Sequence, residues 1–239
     1  MAKTTGLGNQ LYVAGFDLSG DVGAIDSISS PRGVVDVTGI NVSANDRLLT
    51  HSDGLISFSS FFNDAASQQH AALSSLPSTD RIATFLMGST AGDSGCGLVA
   101  KQINYDGSRT ADGGLNFSVS LEGNATPLEW GISLLAGKPT HSSATNAASV
   151  DNSASTSNGS QAYIQAFSLS SGTATVKVQH STNDSSWSDL ITFTNVTGRT
   201  AERATSSGTV NRYLRVASSG SFSNLVFSVI IRRGTANDI

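Results

Sequence analysis

Cysteine occurs once, at Cys96, which excludes an intrachain disulfide and any metal site built from cysteines. Stability must come from packing or assembly. Proline is also scarce, with four residues, and only 13% of the chain is charged and 7% aromatic, while Gly, Ser, Thr, Asn and Ala abound. That composition excludes a highly charged disordered chain and is unlike a helical protein; it suits strands and turns. No segment approaches the roughly 20 apolar residues of a membrane span. The opening MAKTTGLGNQLYVAGFDLSG holds one lysine and no apolar run of signal-peptide length, so a soluble chain made in the cytoplasm is expected. The six Asn-x-Ser/Thr sequons, at Asn41, Asn116, Asn124, Asn158, Asn183 and Asn195, then reflect composition alone. A clustered basic patch is missing too. Residues 1–137 carry six Lys/Arg against thirteen Asp/Glu and residues 138–239 carry eight against five, the eight scattered apart from Arg232-Arg233. A surface that grips nucleic acid is set aside.

What is present is mostly strand pattern. The length, 239 residues, allows one large or two modest domains. LYVAGFDL, AIDSI, GVVDV and DGLISFSSFF have the close or alternating apolar spacing of half-buried strands. Between Gly39 and Asp53 the fifteen residues GINVSANDRLLTHSD are too polar for core and too long for a tight hairpin, and so predict a long functional loop. NDAASQQHAALSSLPSTD changes period: Asn63 or Asp64 can cap a helix whose Ala66, His70, Leu73 and Leu76 share a face before Pro77 ends it. RIATFLMG, GLVAKQINYDG, GGLNFSVSLEGN and LEWGISLL are four further strands, the second and third forming a hairpin with a long tip at DGSRTADGG. Residues 138–160, rich in Ser, Asn and Ala, predict a linker. Beyond it AYIQAFSL, ATVKVQHS, DLITFTNV, RYLRVAS and NLVFSVIIRR predict an all-β unit over 161–239, a β-sandwich or jelly roll.

One motif suggests hydrolysis. Gly92-Asp93-Ser94-Gly95 matches the residues around the nucleophile of chymotrypsin-like serine proteases. A serine nucleophile needs a base within hydrogen-bond reach and a carboxylate to orient it. Only His51 and His70 precede Ser94, neither in the expected context, so a Gly-rich turn with local Asp and Ser bonds is the better reading. Ser89 in MGSTAG has its second glycine one place late for a nucleophile elbow. His51, His70, His141 and His180 are scattered, with no metal-binding interval and a nearby carboxylate. Trp130 and Trp187 suit packing as well as a sugar platform, and Cys96 suits a small core position. No catalytic constellation emerges; no enzyme, cofactor or metal is expected.

The stretch VVDVTGINVSANDRLLTHSDGLISFSSFFNDAASQQHAAL resembles the tail-tube (major tail) proteins of long-tailed, siphovirus-like bacteriophages. Asp36-Val37-Thr38-Gly39, Asp53-Gly54, Ile56-Ser57-Phe58 and Phe61-Phe62-Asn63 stand in the family's order, although Leu48-Leu49-Thr50-His51 replaces a frequent Pro-Gly pair. The resemblance covers roughly residues 10–137. It implies a mainly β fold: a tail-tube-type β-sandwich over 1–137 with one flanking helix, an N-terminal arm and a stacking loop at 40–53. It also implies a virion structural protein of the tail, in hexameric rings that stack into the tube through which DNA passes as cargo. The tape measure, terminator and distal tail proteins would be its other partners, and Asn45, Asp46, Arg47, Leu48, Leu49 and His51, with Met1 to Gln10, would sit between rings. An acidic first half lining the channel would let DNA slide. ATVKVQHSTNDSSWSDLITF with NRYLRVA is similar to galactose-binding-like jelly rolls, which implies an exterior decoration domain. The alternative function is glycan binding at the virion surface through Asn183, Asp184 and Trp187.

Overall fold

The structure is a computed structural model that describes residues 5–235. The first half comprises β1 (Gln10–Val13), β2 (Phe16–Asp17), β3 (Val22–Ser29), β4 (Arg32–Asp36), β5 (Arg47–Ser52), β6 (Leu55–Phe61), helix α1 (Gln69–Leu73), β7 (Arg81–Leu86), β8 (Ser94–Gln102), β9 (Asp106–Arg109), β10 (Leu115–Gly123) and β11 (Glu129–Ser133). Three two-residue strands follow, β12 (Thr140–His141), β13 (Thr145–Asn146) and β14 (Val150–Asp151). Then come β15 (Ser160–Ser181), β16 (Ser188–Thr192), β17 (Thr200–Ser206) and β18 (Tyr213–Arg233). The fold is mainly β. All pairings are antiparallel, and one sheet runs in the order β16-β15-β18-β11-β8-β10-β6-β3, leaving β4 and β5 as a separate two-stranded sheet.

The first half has its core among Leu11, Val13, Leu18, Ile56, Phe58, Leu73, Phe85, Leu98, Val119 and Leu121, supplied by alternate positions of its strands. Cys96 lies in this core, where burial pushes its thiol up to about 12, so it is unreactive. The GDSG motif is the turn between β7 and β8. Asp93 Oδ2 accepts from the Thr90 amide (2.8 Å), the Gly92 amide donates to Ser133 O, and Ser94 opens β8.

The helix is shorter than its sequence predicts, one turn of five residues with Gln68 at its N-cap. Asn63 instead closes a local turn, accepting from the Ala65 amide, and its side-chain amide donates to Asp21 Oδ1 at 2.8 Å. The other oxygen of Asp21 accepts the Gln69 amide at 3.0 Å, and Ser67 at φ 68° keeps the preceding residues out of the helix. Leu76 is exposed, so only Gln69, Ala72 and Leu73 face the core. The predicted β8–β10 hairpin forms, but its long tip does not: Asp106–Arg109 pairs with β10 as β9, leaving a turn at 110–114.

The second half departs further from the sequence reading. AYIQAFSL and ATVKVQHS form one 22-residue strand, and RYLRVAS and NLVFSVIIRR form one 21-residue strand, paired along their whole length. Gly172 (φ 84°) and Gly220 (φ 107°) bend this ribbon without ending it, a backbone state that residues with a Cβ rarely adopt. Inward residues on both sides of the bend, Ala162, Ile164, Val176, Val178, Val216 and Phe227 among them, share one core. The segment 138–160, read as a linker, is bonded to β18 at three places through β12, β13 and β14.

The halves also share a core. Tyr12 and Leu86 from the first pack with Tyr163, Phe167 and Ile230 from the second, which is why β15 is buried on both faces before its bend and on one face after it. Gly97 permits this contact, since a Cβ there would stand 2.5 Å from the Tyr163 ring. Gln165 joins them as well, accepting from the Gly15 amide (2.7 Å) and donating to Ile82 O (2.9 Å).

His141 gives the protein a pH dependence. Its Nδ1 is 2.7 Å from Ser218 Oγ, its ring meets Phe227 edge-on, and burial lowers its pKa. Burial also lowers that of His180, whose Nδ1 accepts the Asn211 amide. The unfolded chain takes up these protons near pH ~6.5, before the native state does. The stabilisation is therefore complete above that pH and is lost as pH falls through the native values. Urea unfolding at pH 5.5 is expected to show a lower midpoint than at pH 7.5, with a slope of at most about 1.4 kcal/mol per pH unit for each histidine. An H141N/H180N double variant should flatten the dependence; an unchanged slope would assign it to other groups.

Candidate assembly surface

Every residue from 30 to 53 is exposed. The predicted loop at 40–53 is half strand, because Arg47–Ser52 pairs as β5 with β4 in an exposed β-arm. Val34 stands opposite Leu49, and Val35 opposite Leu48. Residues opposite one another share a face and successive residues alternate, so each face of the arm carries an aliphatic pair. GVVDV is therefore a strand, but an exposed one and not half-buried. Of the fifteen exposed large hydrophobic residues described, Val34, Val35, Val37, Ile40, Val42, Leu48 and Leu49 lie on this arm. A lone two-stranded ribbon is marginal in water, and among the described residues none buries either face of this one.

The arm is nonetheless well defined at both ends. At its base the Asp53 amide donates to Pro31 O (2.9 Å), Ser30 Oγ donates to Leu128 O (3.3 Å) and the Gly54 amide donates to Asp53 Oδ1 (2.7 Å). At its tip Asp36 Oδ1 accepts the Thr38 amide (2.9 Å), while Thr38 Oγ1 accepts the Asp46 amide (2.9 Å). Hydrogen bonds from the Thr38 side chain and backbone hold the Asp36 carboxyl below its ordinary pKa. Asp36-Val37-Thr38-Gly39 is thus the closure of the arm: the carboxylate and hydroxyl replace ladder bonds where the strands part.

The candidate stacking residues Asn45, Asp46, Arg47, Leu48, Leu49 and His51 fall together on this arm, all exposed. Residues 1–4 of the predicted N-terminal arm lie outside the described residues. Residues 6–11 run past the start of β3 and with it bound an open trough of about 470 Å³. The sequence reading missed Val34, Val35 and this trough; the signal for the valines was an apolar pair facing both ways in a strand.

The three candidate glycan residues lie in one turn, and the side chains of Asn183 and Trp187 are engaged within the chain. Asn183 Oδ1 accepts from Ser181 Oγ and the Ser185 and Ser186 amides, Asp184 holds φ 59°, and the Arg215 guanidinium lies 4.2 Å from the Trp187 ring centroid. Trp130 is partly exposed on β11. His70 Nδ1 lies 2.9 Å from the Tyr105 hydroxyl, and His51 is on the arm. Among the described residues no group of three or more His, Cys, Asp or Glu could hold a metal ion, and no helix is long and apolar enough to cross a membrane.

No family model matches the chain, and no curated protein does. Among solved structures it is similar to the Dit (gp 19.1) protein of SPP1, described as a paradigm of the hub adsorption apparatus in phages infecting Gram-positive bacteria. The TM-score is 0.35 and the identity 11%, over 94% of this chain and 99% of that one.

Proposed function

We propose that this protein is a structural subunit of a bacteriophage tail, and that its function is to assemble with copies of itself into stacked rings forming a tail tube. The observation that carries the reading is the arm: 24 consecutive exposed residues, anchored at the base and closed at the tip, with aliphatic pairs on both faces. An isolated chain gains nothing from holding these residues in water, whereas burial on assembly contributes about 1.5–3 kcal/mol for each large aliphatic side chain. The tail-tube resemblance through Asp36-Val37-Thr38-Gly39 supplies the kind of assembly. Rings that stack around a channel need an element reaching from one layer to the next. Hexameric symmetry, DNA as cargo, contacts with tape measure, terminator and distal tail proteins, and a place in the virion belong to the same proposal.

Negative-stain electron microscopy of the purified protein, with solution mass on the same sample, tests it. Rings or tubes with a central channel are the expected result. A monomer over the whole accessible concentration range, with the arm intact, would remove the self-assembly reading.

A further inference from the structure

We infer that the trough beside β3 is the receptor for the arm tip of a second copy; the inference rests on the self-assembly reading and names its acceptor. The tip first shows what it lacks. Ile40, Val42 and Ala44 alternate with Asn41, Ser43 and Asn45, the pattern of a strand with one buried face, yet all six are exposed and none lies in a strand. Among the described residues nothing buries the face that the pattern calls for.

The trough offers such a surface. Its apolar lining is Leu7, Leu11, Val22, Ala24, Ile25 and Phe85, and its remaining lining residues are glycine, asparagine, glutamine and serine. It carries no charge, and neither does the tip between Val37 and Asn45. Neither partner would have to desolvate an ion on docking. Among the described residues β3 pairs only with β6 and ends the strand order, so beyond the Val22 amide, which donates to Leu18 O, its other edge is open to a segment with strand pattern. The volume is large enough for side chains and not merely a water.

The placement selects a second copy as the occupant. The trough lies along Val22 to Ile25, in the first half of β3, and the arm leaves after Ser29, about 13–23 Å away at ~3.3 Å per residue. Donor and acceptor therefore stand at different places along one strand. A contact between two different patches is heterologous: each copy that receives an arm offers its own to the next, and the contact repeats.

Cysteine cross-linking tests the inference, since Cys96 is buried and contributes little background. Ile40→Cys or Val42→Cys would be prepared as arm variants, and Leu7→Cys or Ala24→Cys as trough variants. All four sites are exposed, and circular dichroism would check that each variant folds. Arm and trough variants are mixed in the four combinations, assembled and oxidised. Four combinations are used because a disulfide forms only when the Cα atoms come within about 7 Å. The expected result is a disulfide-linked dimer in at least one mixture and in neither of its components alone. Rings or tubes that form without a cross-link in any combination would overturn the trough while leaving self-assembly standing, as would cross-links confined to arm variants alone. Failure to assemble at all would overturn both.

Discussion

A protein carrying Leu48→Asp and Leu49→Asp is expected to fold as the parent does and to lose assembly. The two leucines lie on opposite faces of the arm, so the pair of changes places a charge on each. In the isolated chain both side chains are exposed, and substitutions of this kind typically alter folding stability by no more than about 0.5 kcal/mol. In the assembly each buried leucine contributes about 1.5–3 kcal/mol, and a carboxylate in its place adds a desolvation cost. Together they should raise the concentration needed for assembly by about 100-fold or more. Sedimentation across a concentration series, beside a urea titration of the same variant, separates the two effects. Assembly at the parent's concentration would show that the arm is not the contact, and a lost urea transition would show that the arm stabilises the monomer.

The second large effect is at Glu129→Ala. Glu129 lies on β11 between the halves, with its side chain 3% exposed. It accepts from Arg203 Nε at 2.8 Å and from Nη2 at 2.7 Å, and takes a further bond from the Tyr163 hydroxyl. Arg232 approaches it at 3.8 Å. Burial, then the neighbouring carboxylate, pushes the Tyr163 phenol far above its ordinary pKa, and the bond to Glu129 raises that of Arg203. Removing the carboxylate leaves a largely buried guanidinium and a buried hydroxyl without their acceptor. Breaking such a pair costs about 3–5 kcal/mol, a large share of the 5–15 kcal/mol typical of a domain. The loss should appear in one cooperative urea transition, since the halves share a sheet and a core. A change under about 1 kcal/mol, or two separated transitions, would show that this junction does not join the halves energetically.

The sequence announces β6 and the second half of β10 because alternate residues there face the core, and the alternation survives. It announces less where that contrast fails. RLLTHS has no period because neither face of β5 is buried in the single chain. The two long strands read as four because Gly172 and Gly220, set among serines, look like turns; only the pairing of β15 with β18 shows them to be bends. β12, β13 and β14 are two residues long, shorter than any periodicity. The helix was overestimated because Ala-rich propensity says nothing of Asp21, which lies 48 residues before Gln69 and anchors its amide. Glu129 left a trace, an acidic residue in the apolar LEWGISLL that calls for a partner, but nothing local points to Arg203, 74 residues on.

The central claim is that the arm is buried between copies, and amide hydrogen exchange read segment by segment in the dilute monomer and in the assembled particle tests it most directly. In the monomer residues 30–53 should exchange among the fastest, since their few ladder bonds face solvent. On assembly the account predicts strong protection of Val34 to Leu49, with little change in the core strands β8, β15 and β18. Assembled particles in which Val34 to Leu49 still exchange as fast as in the monomer would contradict it.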